Sequence, residues 1–200
     1  MKIEEILLKT QAVHINTEDL FTWTSGIKSP IYCNNRLLIS YPEYRTIITD
    51  LFISTIKTNF AETQSIAGTS TAGIPWAAFI AEKMKLPMLY IRSKPKGHGL
   101  KSSIEGNLIE GQKTIIIEDL ISTGKSSIEA FENAQSEKLN PLGIISIFSY
   151  QVLKTQQNFE QKKIKNFSLA GYHSLYQYLL VQNKINDKAQ TVLNDWHQSL

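Results

Sequence analysis

Two adjacent carboxylates, Glu118 and Asp119, follow the β-branched run Thr114-Ile115-Ile116-Ile117 and precede a small polar loop, Ser122-Thr123-Gly124. Ionised carboxylates only accept hydrogen bonds, so a sugar diol or a hydrated Mg²⁺ is their natural partner. The loop offers the complementary chemistry. Ser122, Thr123, Ser126 and Ser127 carry hydroxyl donors, and Gly124 permits close approach of the backbone. The helical pattern Ile128–Ala134 that follows implies unpaired N–H groups at its start, where a phosphate can sit. Phosphate, ribose hydroxyls and metal together describe a phosphoribosyl group. The plainer alternative is a buried strand with an ordinary turn, and the paired acids against an anion-binding turn weigh against it. A nucleotide P-loop fails as well. Gly124-Lys125-Ser126 mimics its tail, but the pattern needs a glycine five residues before Gly124, where Asp119 stands.

Three other stretches hold side chains suited to the same ligand. Arg92 opens a run of about 16 residues, 93–108, that carries Lys94, Lys96, His98 and Lys101 among Pro95, Gly97, Gly99 and Gly106. Such length and composition suit a binding loop or lid more than a solvated basic loop. A mobile basic loop can bring cations to charge that develops only once a substrate is bound. Thr69-Ser70-Thr71-Ala72-Gly73 is a second hydroxyl-rich turn from strand to helix, placed where α/β sheets bind ligands. Lys28 and Arg36 flank Ser29–Asn35; by type alone they are ordinary surface charges, and only a guanidinium among them could pair a carboxylate two-pronged.

The elements that must position these groups follow from hydrophobic period. Four β-branched residues without polar alternation suit a strand buried on both faces, as in a parallel sheet. Ser65–Gly68, Pro87–Ile91 and Leu142–Phe148 read as further buried strands. Between them, 42–60 reads as a long helix with Ile47, Ile48, Leu51, Phe52 and Ile56 on its buried stripe, and a second helix runs through Met84. Lys2–Val13 reads as an amphipathic helix, and Phe21–Thr24 and Pro30–Cys33 as short strands around a tight connection. After Tyr150 come a polar helix over 152–163, an edge strand over 164–170, and helices over 172–181 and 187–196. Trp76 reads as packing, and His14, His173 and His197 as structural or surface histidines outside any metal cluster.

The whole chain bounds these readings. Its 200 residues, 42% hydrophobic, fit one domain with a sizeable core. A formal charge of +3, from 21 basic and 18 acidic residues, is too mild to argue for nucleic acid or a membrane surface. One cysteine, Cys33, precludes an internal disulfide and suits a reducing cytoplasm; it reads as a small buried hydrophobe. No apolar run reaches membrane-spanning length, and acids interrupt the N-terminal stretch where a signal peptide needs an apolar core.

Glu118–Ser127 resembles the phosphoribosyl pyrophosphate (PRPP) motif of the type I phosphoribosyltransferase family. Together with TSGIKSPIYCNNR and the Arg92, Lys96, His98 spacing, it is most similar to the orotate-specific branch, over about Leu20 to about Tyr150. This resemblance implies an α/β fold: a parallel sheet flanked by helices, with an N-terminal hood. The hood is expected over approximately 1–40, the core over 41–170 and C-terminal helices over 171–200. The resemblance implies transfer of ribose 5-phosphate from PRPP to orotate, with Mg²⁺ held mainly through substrate oxygens and no metal-ligating side chain. It implies Lys96, His98, Glu118 and Asp119 as catalytic. PRPP contacts are expected from these four, from Arg92, and from Leu120, Ile121, Ser122, Thr123, Gly124, Lys125 and Ser126. Ser122, Lys28 and Arg36 are expected at orotate. The family usually has a small residue where Lys125 stands and more often Asp at Asn34. Some members place an orotate-gripping Arg where Ser149 and Tyr150 stand here. The resemblance also implies a homodimer in which the basic loop reaches the neighbouring subunit's site. Two rivals stay open: a phosphoribosyltransferase for a purine or uracil, and a non-enzymatic PRPP-binding regulator of nucleic acid.

Overall fold

The Ile-rich run lies at the heart of the sheet: Ile115, Ile116 and Ile117 are each 0% exposed. The computed structural model describes residues 2–23, 26–93 and 102–199. In chain order these form α1 (Ile3–Lys9), β1 (Val13–Ile15), β2 (Phe21–Thr22), β3 (Lys28–Ser29), β4 (Ile31–Cys33), a 3₁₀ helix (Asn35–Ser40), α2 (Pro42–Asn59), β5 (Ser65–Thr69), α3 (Gly73–Met84), β6 (Met88–Ile91), β7 (Ile104–Glu105), β8 (Lys113–Ile121), α4 (Lys125–Ser136), β9 (Asn140–Ser149), α5 (Leu153–Gln161), β10 (Asn166–Gly171), α6 (Tyr172–Val181) and α7 (Asp187–Gln198). Six strands make the main sheet in the order β10-β9-β8-β5-β6-β7. All neighbours are parallel except β7, which runs antiparallel to β6.

Alternate side chains of β8 enter opposite layers, as the pleat requires. Ile115 and Ile117 pack with Ile48, Phe52, Trp76 and Ile80 of α2 and α3. Ile116 packs with Ile128, Phe131 and Phe159 of α4 and α5. Each buried isoleucine contributes roughly 1.5–3 kcal/mol by leaving water. Two glycines set the close approach of α3 to the sheet. A Cβ on Gly73 would stand 2.3 Å from the Ile117 carbonyl oxygen, and one on Gly68 would stand 2.7 Å from the Gly73 carbonyl oxygen.

Two antiparallel strand pairs lie ahead of α2: β1 with β4, and β2 with β3. The C-terminal helix fastens them. Trp196 Nε1 on α7 donates to the Lys28 carbonyl oxygen at 2.8 Å, and the Trp23 ring meets both Trp196 and Tyr150. Next along α7, His197 stacks on Tyr172 with ring centroids 3.8 Å apart, and its Nε2 lies 2.9 Å from the Tyr150 carbonyl oxygen. Burial holds His197 below the ordinary histidine range.

Several boundaries differ from the periodicity reading, each for a local reason. The first helix stops at Lys9 rather than Val13: Gln11 adopts φ +56°, and Val13-His14-Ile15 pairs with β4 instead. Lys28–Ser29, read as connection, is a strand opposite Phe21–Thr22. Within 93–108, Ile104–Glu105 pairs with Tyr90–Ile91, so part of the stretch read as loop belongs to the sheet edge.

Candidate active site

A cleft of about 750 Å³ opens beyond the carboxyl ends of the parallel strands, roofed by the N-terminal strand pairs. This is where α/β sheets receive ligands. Glu118 and Asp119 on β8 line it, with Thr69 at the end of β5 and Ser70–Ala72 after it, Arg92 and Ser93 after β6, and Ser122 and Ser126 at the entry to α4. Arg36, Trp23 and Tyr32 line it from the roof.

Glu118 is only 7% exposed. Burial first, then the charge of neighbouring Asp119, pushes its carboxyl up to about 8. Oε1 accepts the Asp119 N–H at 3.0 Å and Oε2 accepts from Ser127 Oγ at 3.5 Å. Hydrogen bonds from Thr69 and from the Asp119 N–H act in the opposite direction, favouring the charged form.

The Ser122–Gly124 turn has the geometry its glycine implied. Gly124 sits at φ +74° as the N-cap of α4, and a Cβ there would meet Thr155 Cγ2 at 2.8 Å and Phe159 Cε2 at 3.0 Å. Thr155 Oγ1 donates to the Ser122 carbonyl oxygen at 2.9 Å, so α5 braces the turn from behind. With that carbonyl held away, the N–H groups at the start of α4 remain available to an anion.

The remaining sequence-predicted residues divide. Leu120 lines the cleft, whereas Ile121 is buried and its carbonyl oxygen accepts the Tyr150 N–H at 3.0 Å. Thr123 and Lys125 are exposed outside the cleft lining; Lys125 Nζ lies 3.9 Å from Glu129. Arg92 lines the cleft and its Nη1 donates to Glu105 at 3.3 Å. Arg36 lines it directly. Lys28 stands one step removed, its Nζ donating at 2.8 Å to Oγ1 of the cleft residue Thr22. Lys96 and His98 lie outside the described residues.

Sequence reasoning missed the part of the lining that only tertiary folding assembles. Trp23 and Tyr150, far apart in the chain, meet at 4.3 Å between ring centroids. Asn35 sends Nδ2 to the Asp119 carbonyl oxygen at 2.6 Å. Its position beside Arg36 was the available signal. Cys33 is buried as expected but lines the cleft too, and burial with the nearby Asp119 charge pushes its thiol far up.

Residues 40–168 match the family model described as phosphoribosyl transferase domain. Among curated proteins, an orotate phosphoribosyltransferase of Streptococcus mutans is 49% identical over 193 residues, covering 96% of this chain and 92% of that one. Similarity therefore continues well past Tyr150, where the motif resemblance was expected to fade. Among solved structures, orotate phosphoribosyltransferase from Aeropyrum pernix superposes with a TM-score of 0.79 at 24% identity, covering 88% of this chain and 97% of that one. Leishmania donovani UMP synthase gives a TM-score of 0.82 at 24% identity, covering 99% of this chain and 42% of that one. These structures share the mostly parallel sheet flanked by helices.

Proposed function

Because this chain belongs to the phosphoribosyl transferase family, we propose that its cleft transfers ribose 5-phosphate from PRPP to orotate, giving orotidine 5′-monophosphate and pyrophosphate in de novo pyrimidine synthesis. The observation that carries the reading is convergence. One cleft holds a carboxylate pair, an amide-rich turn and, from the roof, a guanidinium. The relative at 49% identity bears the orotate phosphoribosyltransferase name over nearly its full length.

Charge dictates the roles. The turn from Ser122 to Ser126 receives the 5′-phosphate on N–H and hydroxyl donors. Glu118 and Asp119 accept from the ribose hydroxyls and oppose the positive charge that grows on the ring as the C1–oxygen bond breaks. A ring nitrogen of orotate attacks C1 directly, its proton passing to the departing pyrophosphate, which takes the bonding pair of the broken C1–oxygen bond, so no covalent nucleophile on the protein is required. Arg36 pairs with the orotate carboxylate, supported by Lys28. Arg92, Lys96 and His98 offset charge on the leaving pyrophosphate, and in a homodimer the loop that carries the last two serves the neighbouring site.

The donor set fits Mg²⁺. Mg²⁺ would be held mainly through pyrophosphate and ribose oxygens, with the hard oxygens of Glu118 and Asp119 beside it in the same cleft rather than forming a protein cage. When bound, it supplies charge neutralisation to the pyrophosphate. No described helix is long and apolar enough to cross a membrane. With a single cysteine, a cytoplasmic location suits the chain.

Mixing the protein with PRPP, Mg²⁺ and each of orotate, uracil, adenine and hypoxanthine tests the reading, with orotate followed by its loss of absorbance. Orotate is expected to be consumed far faster than the others. Preferred consumption of another base, or salt-dependent RNA binding without turnover, would replace the reading with one of its rivals.

A further inference from the structure

The β5–β8 ladder ends at the pair Gly68–Ile117. Carbonyls two residues apart on a strand point to the same side, so beyond that pair the Ile117 and Asp119 oxygens face an edge with no strand opposite among the described residues. Side chains take over. Thr69 Oγ1 donates to the Ile117 oxygen at 3.2 Å, and Asn35 Nδ2, reaching across from the roof, donates to the Asp119 oxygen at 2.6 Å. Asn35 is 1% exposed, so water does not compete for the bond. The other end of its amide is engaged as well, since Cys33 Sγ donates to Oδ1 at 3.2 Å. A flipped amide would set oxygen against the Asp119 carbonyl and forfeit both contacts, so one orientation is fixed. Arg36 is the next residue along.

We propose that Asn35 is a positioning residue for the transfer reaction: its amide fixes the peptide that carries Asp119, and so fixes the acid pair relative to the roof segment that holds Arg36. The bond ties the roof to the core directly at the acid pair. A carboxylate aimed at a ribose hydroxyl loses its effect with small displacements, because orientation contributes steeply to rate. The inference rests on the phosphoribosyl-transfer reading, and the test separates the two.

The test is a double-mutant cycle on kcat at saturating PRPP and orotate, with Asn35→Leu, Asp119→Asn and the pair. Leucine keeps the buried volume and removes the donor. If Asn35 works through Asp119, Asn35→Leu lowers kcat by about 10-fold or more, in keeping with a lost buried hydrogen bond. In the Asp119→Asn background the same change costs less than about 2-fold, since the effects of groups acting as a unit do not multiply. A kcat within about 2-fold of the parent, or losses that multiply in the pair, overturns the proposal. Asn35→Asp, which keeps the shape and replaces the donating NH₂ by oxygen, runs through the same cycle if the leucine chain does not fold, with the same two outcomes. Failure of the parent protein to turn over orotate would instead strike the reading beneath.

Discussion

Replacing Glu118 by Gln separates what the acid pair does for chemistry from what it costs the fold. Burial, and then the Asp119 charge, lifts the Glu118 carboxyl from 4.5 to about 8 in the substrate-free protein. Between those values the folded chain binds more protons than the unfolded chain, so stability falls as pH rises through the window. Below about pH 4.5 both states hold the proton and no penalty arises; above about pH 8 the penalty is complete. At about 1.4 kcal/mol for each unit of displacement, the ionised side chain costs on the order of 3–5 kcal/mol at pH 9. Glutamine has the same shape, can offer its one amide oxygen to the Asp119 N–H while its NH₂ donates to Ser127 Oγ, and carries no charge to bury. In scanning calorimetry without substrates, the variant should melt near the parent at pH 5. At pH 9 it should melt higher by on the order of 6–20 °C, at roughly 2–4 °C per kcal/mol for a chain of this size. Its kcat should drop by on the order of 10²-fold, as for other lost transition-state electrostatics. A Tm difference that does not change with pH, or a variant that melts lower at pH 9, refutes the assignment of strain to Glu118.

Other substitutions test the turn and the cations. Gly124→Ala adds a Cβ 2.8 Å from Thr155 Cγ2 at φ +74°. Left-handed strain and crowding together should cost about 2–4 kcal/mol. Melting should report a fall of more than about 5 °C, and titration should report weaker PRPP binding; an unchanged Tm contradicts this packing. Arg36→Leu should raise the KM for orotate by about 10-fold or more while leaving that for PRPP near the parent, as expected for a lost charge-assisted hydrogen bond. Lys28→Leu should do less, its ammonium being engaged by Thr22. Equal effects from the two would reverse their assigned order. Lys96→Ala should lower kcat by on the order of 10²-fold with little change in Tm, and a near-normal kcat rejects its role at the pyrophosphate.

What the sequence disclosed was local. Ile115–Ile117 announced a strand buried on both faces because no polar residue interrupts it, and the following acids, glycine and hydroxyls announced the chemistry at its end. Both halves of the motif depend on neighbours in the chain, so their spacing could be read directly. The roof was harder. Val13-His14-Ile15 continues the apolar pattern of α1, and only pairing with Ile31–Cys33 decides that it is a strand. Ile104–Glu105 likewise becomes sheet only because Tyr90–Ile91 lies beside it. Arg36 stood out through its charge. Asn35 did not, because a neutral amide acquires its meaning from a carbonyl 84 positions away. The aromatic brace of Trp23, Tyr150 and Trp196 was invisible for the same reason: each residue alone reads as core.

The most direct measurement is a crystal structure with PRPP and Mg²⁺ bound. The 5′-phosphate is expected within hydrogen-bonding distance of N–H groups between Ser122 and Ser126, with the ribose hydroxyls on Glu118 and Asp119. A sugar found elsewhere, or one bound with its pyrophosphate on the Ser122–Ser126 turn, contradicts it.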